Sequence, residues 1–157
     1  MSFPSAAQSA GLTAKVGKRA IENRYRSNIE ATNGISITYS VEIDSAFVAN
    51  EPNASRWDYG VGLSKGNKIL AVWVESHGAT STGEVDKMIA KLNWLKGKLC
   101  TRQWADLRAL SNESISEGVH LYWWLVPGKV CFRAGSREAL KLTQAGLSMP
   151  CKQVIIR

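Results

Sequence analysis

The stretch "ISITYSVEI" at residues 35–43 sets Ile35, Ile37, Tyr39, Val41 and Ile43 against Ser36, Thr38, Ser40 and Glu42. Unbroken period-two alternation over nine residues marks a half-buried β-strand, because successive strand side chains point to opposite faces. A strand needs hydrogen-bonding partners, and the next apolar runs supply them. "RWDYGVGL" at 56–63 and "KILAVWVESH" at 68–77 are separated by "SKGN", so the segment reads as a hairpin with a short loop. The period then changes. In residues 83–99 Val85, Met88, Leu92, Leu95 and Leu99 recur at intervals of three and four with Ile89 beside them, which predicts an amphipathic helix capped by Ser81 or Thr82.

The flanking segments are less regular. Residues 5–31 have helix-forming composition, with Gly11 and Gly17 as weak points and Asn33-Gly34 as the stop, and predict one N-terminal helix, with a break near Gly11 left open. Residues 47–55, with Pro52, and the polar patch at 111–118 read as loops. "VHLYWWLV" (119–126) and "KVCFRA" (129–134), joined by Pro127-Gly128, predict a second hairpin. Ser136 caps a short helix over 137–145 that Gly146 closes, and "KQVIIR" at 152–157 is a terminal strand. The expectation is a single α/β domain over 1–157. Its central mixed sheet has about five strands flanked by helices, in the order helix, three strands, helix, two strands, helix, strand.

Twenty Lys and Arg against thirteen Asp and Glu give a net charge of +7. That excess suits an anionic partner, nucleic acid first and a membrane surface second, with an ordinary basic surface as the alternative. No run approaches the ~18 apolar residues of a membrane span. Residues 5–26 resemble a transit peptide in composition but lack the apolar run of a secretory signal, and are read as part of the fold. Cys100, Cys131 and Cys151 form no CxxC pair and have no histidine at ligand spacing, so they read as reduced thiols of a cytoplasmic protein. The Asn53 and Asn112 glycosylation triplets are taken as chance. "GVGLSKGNK" lacks the ending of a phosphate-binding loop, no Gly-x-Ser-x-Gly elbow occurs, and His120 reads as a strand residue rather than a ligand.

The chemistry concentrates in the 56–77 hairpin. Strand periodicity sends Trp57, Tyr59, Val61 and Leu63 one way and Asp58, Gly60 and Gly62 the other, and a strand glycine marks a close approach by backbone or ligand. Glu75 and His77 share a side of the third strand, and the hairpin brings Asp58 and Glu75 to the same end of the sheet. Adjacent carboxylates repel, and a divalent cation such as Mg²⁺ is a common reason to hold them ionised together. The plainer alternative pairs Asp58 with Arg56 and lets His77 cap a turn. On the 83–99 helix, Glu84, Lys87, Lys91 and Lys98 form an arc adjoining the apolar one. A lysine there can lay its methylenes on the sheet and bring its ammonium over the carboxylates, or simply belong to a solvated face.

An acid in strand two, Glu-x-basic in strand three and a helix on either side resemble the PD-(D/E)XK nuclease superfamily, the restriction-endonuclease-like fold, over roughly residues 6–126. The resemblance implies Asp58 and Glu75, seventeen positions apart, as ligands of Mg²⁺ or Mn²⁺. His77 stands where the family has lysine. Glu22 matches a first-helix glutamate of some branches, and Lys87 or Lys91 a lysine moved to the helix after strand three. The implied activity is phosphodiester cleavage with Asp58, Glu75, His77, Lys91 and Glu22 as catalytic residues. Nucleic acid, DNA favoured over RNA, would be bound by Arg19, Arg24, Arg26, Lys87 and Lys91, and a homodimer is left open. The alternative is an inactive member of the fold acting as a nucleic-acid-binding or protein-interaction module. Most of the six tryptophans sit on apolar faces and read as core, with Trp123 and Trp124 on opposite faces.

Overall fold

The computed structural model describes all residues 1–157. A five-stranded mixed sheet in the order β1-β3-β4-β5-β6 organises the chain. Its centre is an antiparallel meander of β3 (Ile35–Glu42), β4 (Tyr59–Lys65) and β5 (Lys68–Ser76), and β6 (Tyr122–Leu125) joins β5 in parallel. Gly66 and Asn67 alone connect β4 to β5, with Lys65 opposite Lys68 and Gly66 at φ 60°, which is the short hairpin that the turn residues predict.

The 83–99 helix forms as α4 (Gly83–Leu99), burying Val85, Met88, Leu92, Leu95 and Leu99. Neither Ser81 nor Thr82 caps it: Thr82 is itself helical and makes no side-chain cap bond. The N-terminal segment does not form one helix. It folds as α1 (Phe3–Ser9), β1 (Lys15–Val16), α2 (Asn23–Arg26) and β2 (Ile29–Ala31), because Gly11 and Gly17 take left-handed conformations, φ 79° and 59°, that end helical propagation. At the entrance to the expected 47–55 loop, α3 (Asp44–Phe47) adds one helical turn that shares only Phe47 with it.

Residues 111–118 are also not a loop; most belong to α5 (Ala105–Ser116), which follows a short 3-10 turn at Arg102–Trp104. Serines usually weaken a helix interior, but here they peg it to the sheet. Ser114 Oγ accepts from Ala71 N (3.1 Å) and donates to Ala71 O (2.7 Å), and Ser111 Oγ accepts from Trp73 Nε1 (3.0 Å). The two Ser114 bonds serve the edge of β5 that β6 is too short to reach. The second hairpin does not form either. Residues 129–134 make only an isolated parallel bridge, Val130 with Ala79, so Pro127-Gly128 is an exit loop. The last two elements match expectation: α6 (Arg137–Ala145) is capped by Ser136 and ended by Gly146 at φ 85°, and β7 (Val154–Ile156) pairs in parallel with β2 as a separate small sheet.

The perfect alternation of β3 conceals a change of face. A bulge between Ile37 and Tyr39 puts Ile35 and Ile37 against one core and Tyr39, Val41 and Ile43 against the other. Gly60 and Gly62 lie opposite Val41 and Tyr39. A Cβ at Gly62 would stand 2.5 Å from the Phe3 ring and one at Gly60 2.7 Å from the Trp73 ring, so these glycines admit core aromatics rather than a ligand. Trp57 lies before β4 and joins the Gly60 side, contrary to the simple alternation that groups it with Tyr59, Val61 and Leu63. Side chains of α1, α4, α5 and α6 share the first core. The opposite face is covered instead by Ile21, Ile29, Val154 and Ile156, so the long helices do not flank both sides. Trp57, Trp73, Trp104 and Trp124 are buried, and Trp123 and Trp124 do face opposite cores.

Candidate functional site

Asp58 immediately precedes β4, and Tyr59 pairs with Val74, so Asp58 arrives beside Glu75 at the end of β5. The Asp58 backbone N–H donates to Glu75 Oε1 at 2.9 Å, and Asp58 Oδ2 accepts from the Ser76 N–H at 3.2 Å. Each acid is thus held by the other's strand. Arg56 is not the partner of Asp58; its guanidinium donates to Asp44 at 2.8 Å and to the Glu51 carbonyl.

Glu75 is completely buried. Burial, with the Asp58 charge adding to it, raises its carboxyl well above the ordinary range, and Lys91 opposes the shift. Lys91 reaches down from α4, placing Nζ 2.9 Å from Glu75 Oε2 with its side chain one-fifth exposed. Lys87, one turn earlier, stays exposed and pairs with Glu84 at 3.3 Å. Of the two helix lysines that could approach the acids, Lys91 does.

His77 continues β5 and makes the adjacent cross-element contact, its Nε2 hydrogen-bonded to the Glu84 carboxylate. That bond holds the Glu84 carboxyl below its usual value. A carboxylate can only accept, so Nε2 carries the proton, and in the neutral ring Nδ1 keeps a lone pair. Trp124 Nε1 donates to the His77 carbonyl at 2.8 Å, fixing the backbone beneath the ring. Glu75 and His77, two apart on one strand, therefore meet Lys91 and Glu84, seven apart on one helix. Glu84 was legible only as a helix-surface acid; its seven-residue spacing from Lys91, two helical turns, is the signal for its role.

The remaining candidates lie on the opposite side of Asp58. Arg19, Glu22, Arg24 and Arg26 line, with Asp58, Tyr59 and Ser76, a recess of about 500 Å³. Glu22 is exposed and paired with Arg24 at 3.0 Å. Arg26 braces the segment instead of projecting from it, donating to the carbonyls of Ile21 (2.8 Å) and Arg19 (3.1 Å). Tyr59 presents its hydroxyl to the Glu22 N–H at 3.3 Å, and burial raises that hydroxyl to about 12, so it remains protonated at neutral pH.

Nowhere do three or more His, Cys, Asp or Glu side chains gather as a complete metal cage. Two carboxylates still suit Mg²⁺, which binds through one or two and completes its shell with water and phosphate oxygens. Asp58 lines the recess while Glu75 has no exposed surface, so an ion held by the pair would enter from the Asp58 side. His120 is exposed and lies just before β6, bonded to the Tyr122 carbonyl. No helix is long and apolar enough to cross a membrane. No family model, curated protein or solved structure matches the chain.

Proposed function

We propose that the chain is a divergent PD-(D/E)XK-type protein that cleaves phosphodiester bonds in nucleic acid. The observation that carries this reading is the meeting of Asp58, Glu75 and Lys91 at one sheet end, with the lysine supplied by α4. The antiparallel meander β3-β4-β5, followed by α4 and, after α5, by the parallel strand β6, supports it, as does the net charge of +7.

Asp58 and Glu75 would hold Mg²⁺ or Mn²⁺. When bound, such an ion lowers the pKa of a water ligand and offsets the charge of the scissile phosphate. Lys91 places a fixed ammonium where negative charge develops in the transition state. His77, oriented by Glu84, offers Nδ1 as a proton acceptor for the attacking water. Arg19 and Arg24 attract the neighbouring phosphates, while Glu22 and Lys87 contribute at the margin of the site.

A second reading, a binding module without catalysis, is favoured by one feature: the residue two after Glu75 is a histidine whose ring is tied to Glu84 rather than a lysine free to act. Strand scission assays with and without Mg²⁺ separate the two. Cleavage that needs the ion and disappears in folded Asp58→Ala and Glu75→Ala variants supports the nuclease; binding with no cleavage supports the module.

A further inference from the structure

A second recess, of about 320 Å³, adjoins the first and shares Arg24 and Tyr25 with it. It lies at the end of β6, walled by Leu125, Val126 and Pro127, with Lys152 at its rim. Tyr25 is half-buried, and the Arg24 guanidinium lies 4.6 Å above the centre of its ring. That guanidinium is held only by Glu22 in an exposed ion pair, a type worth little in water, so it can move aside or stack in its turn.

An independent observation points into the first recess. Ser76 Oγ is the one buried side-chain polar atom in the chain without a hydrogen-bond partner, and Ser76 lines that recess beside Asp58. Buried hydroxyls are nearly always satisfied, and this unpaired one belongs to a residue lining a recess that carries Arg19, Arg24 and Arg26 together with Glu22, Glu42 and Asp58, so a bound phosphate oxygen would supply its missing partner. An aromatic platform, apolar walls and flanking cations are what proteins use to hold unstacked bases. A continuous duplex keeps its bases stacked inside and has nothing to insert into a recess of small-ligand size.

We propose that the two recesses bind an unpaired stretch of nucleic-acid strand. One base enters the smaller recess against Tyr25, and its phosphates lie along Arg19, Arg24, Lys152 and the Ser76 hydroxyl. This rests on the nucleic-acid reading above and narrows its substrate to single-stranded or locally unpaired strands.

The test is equilibrium binding with divalent ions chelated, so that affinity is read without cleavage. The probes are a twelve-nucleotide DNA strand, the same sequence as RNA, and the blunt DNA duplex. At least one single strand should bind roughly ten-fold or more tightly than the duplex at equal salt, the two strand arms showing which sugar is accepted. Tyr25→Ala should weaken single-strand binding roughly ten-fold and leave duplex binding unchanged, while Tyr25→Phe keeps wild-type affinity. Lys152→Ser, at an exposed position, should reduce the salt slope by about 0.7. Duplex bound as tightly as single strand, unchanged affinity in Tyr25→Ala, or no binding to any probe overturns the proposal. Single-strand preference without cleavage in Mg²⁺ contradicts the catalytic reading instead, and Mg²⁺-dependent duplex cleavage without that preference removes only the recess.

Discussion

Lys91 Nζ on α4 lies 2.9 Å from Glu75 Oε2 on β5, and Glu75 has no exposed surface. One ammonium therefore pairs with Glu75, whose carboxyl also feels the neighbouring Asp58 charge, and the buried Glu75 binds its proton more tightly than an exposed glutamate would.

The pH dependence of stability follows from that imbalance. A carboxyl raised above its ordinary value of 4.5 contributes fully below pH 4.5, and the contribution is lost as pH rises through the folded-state value. Glu75→Gln removes this loss. In urea denaturation followed between pH 4 and 8, the variant should gain on the wild type as pH rises; a constant difference between the two would show that Glu75 is not shifted.

Mg²⁺ should oppose the same penalty, because a cation bound only by the folded chain stabilises it. Wild type should melt at higher temperature in millimolar Mg²⁺, and the rise should grow with pH, because the raised Glu75 carboxyl binds its proton in competition with the ion. Asp58→Asn should show little response. An equal rise in both proteins would place the ion elsewhere.

Glu84 positions His77, so its loss should affect proton transfer before binding. Glu84→Gln should lower the cleavage rate about ten-fold or more and alter its pH profile, with substrate affinity within about two-fold. A variant with an unchanged pH profile would assign the pair a purely structural role.

Two stability predictions test the packing under the site. Ser114→Ala strips the Ala71 N–H and carbonyl of their partner and should cost about 1–3 kcal/mol in denaturant unfolding. Gly62→Ala drives a methyl into the Phe3 ring and should cost about 1–3 kcal/mol or more. A neutral outcome for either would mean that the sheet relaxes freely at that point.

The meander, α4 and the placing of Asp58 beside Glu75 were legible because they depend on local periodicity and a two-residue turn. The arrival of Lys91 was legible as one of two choices, and packing selected it over Lys87. The β3 bulge was not legible, since an inserted residue that switches faces leaves the apolar alternation intact on both sides of it. Nor was α5, whose serines look like loop residues until the unpaired edge of β5 gives their hydroxyls a use. The Tyr25 recess depends on contacts between segments a hundred residues apart, from α2 to Lys152, that no local pattern encodes.

Single-turnover strand scission in Mg²⁺, comparing wild type with Lys91→Met and Lys87→Met, shows whether the lysine beside Glu75 acts in cleavage. Cleavage by the wild type is expected, with a loss of about 100-fold or more in Lys91→Met and a rate within about two-fold of wild type in Lys87→Met at saturating substrate. Cleavage that survives Lys91→Met unchanged, or a wild type that cuts no nucleic acid, would contradict that expectation.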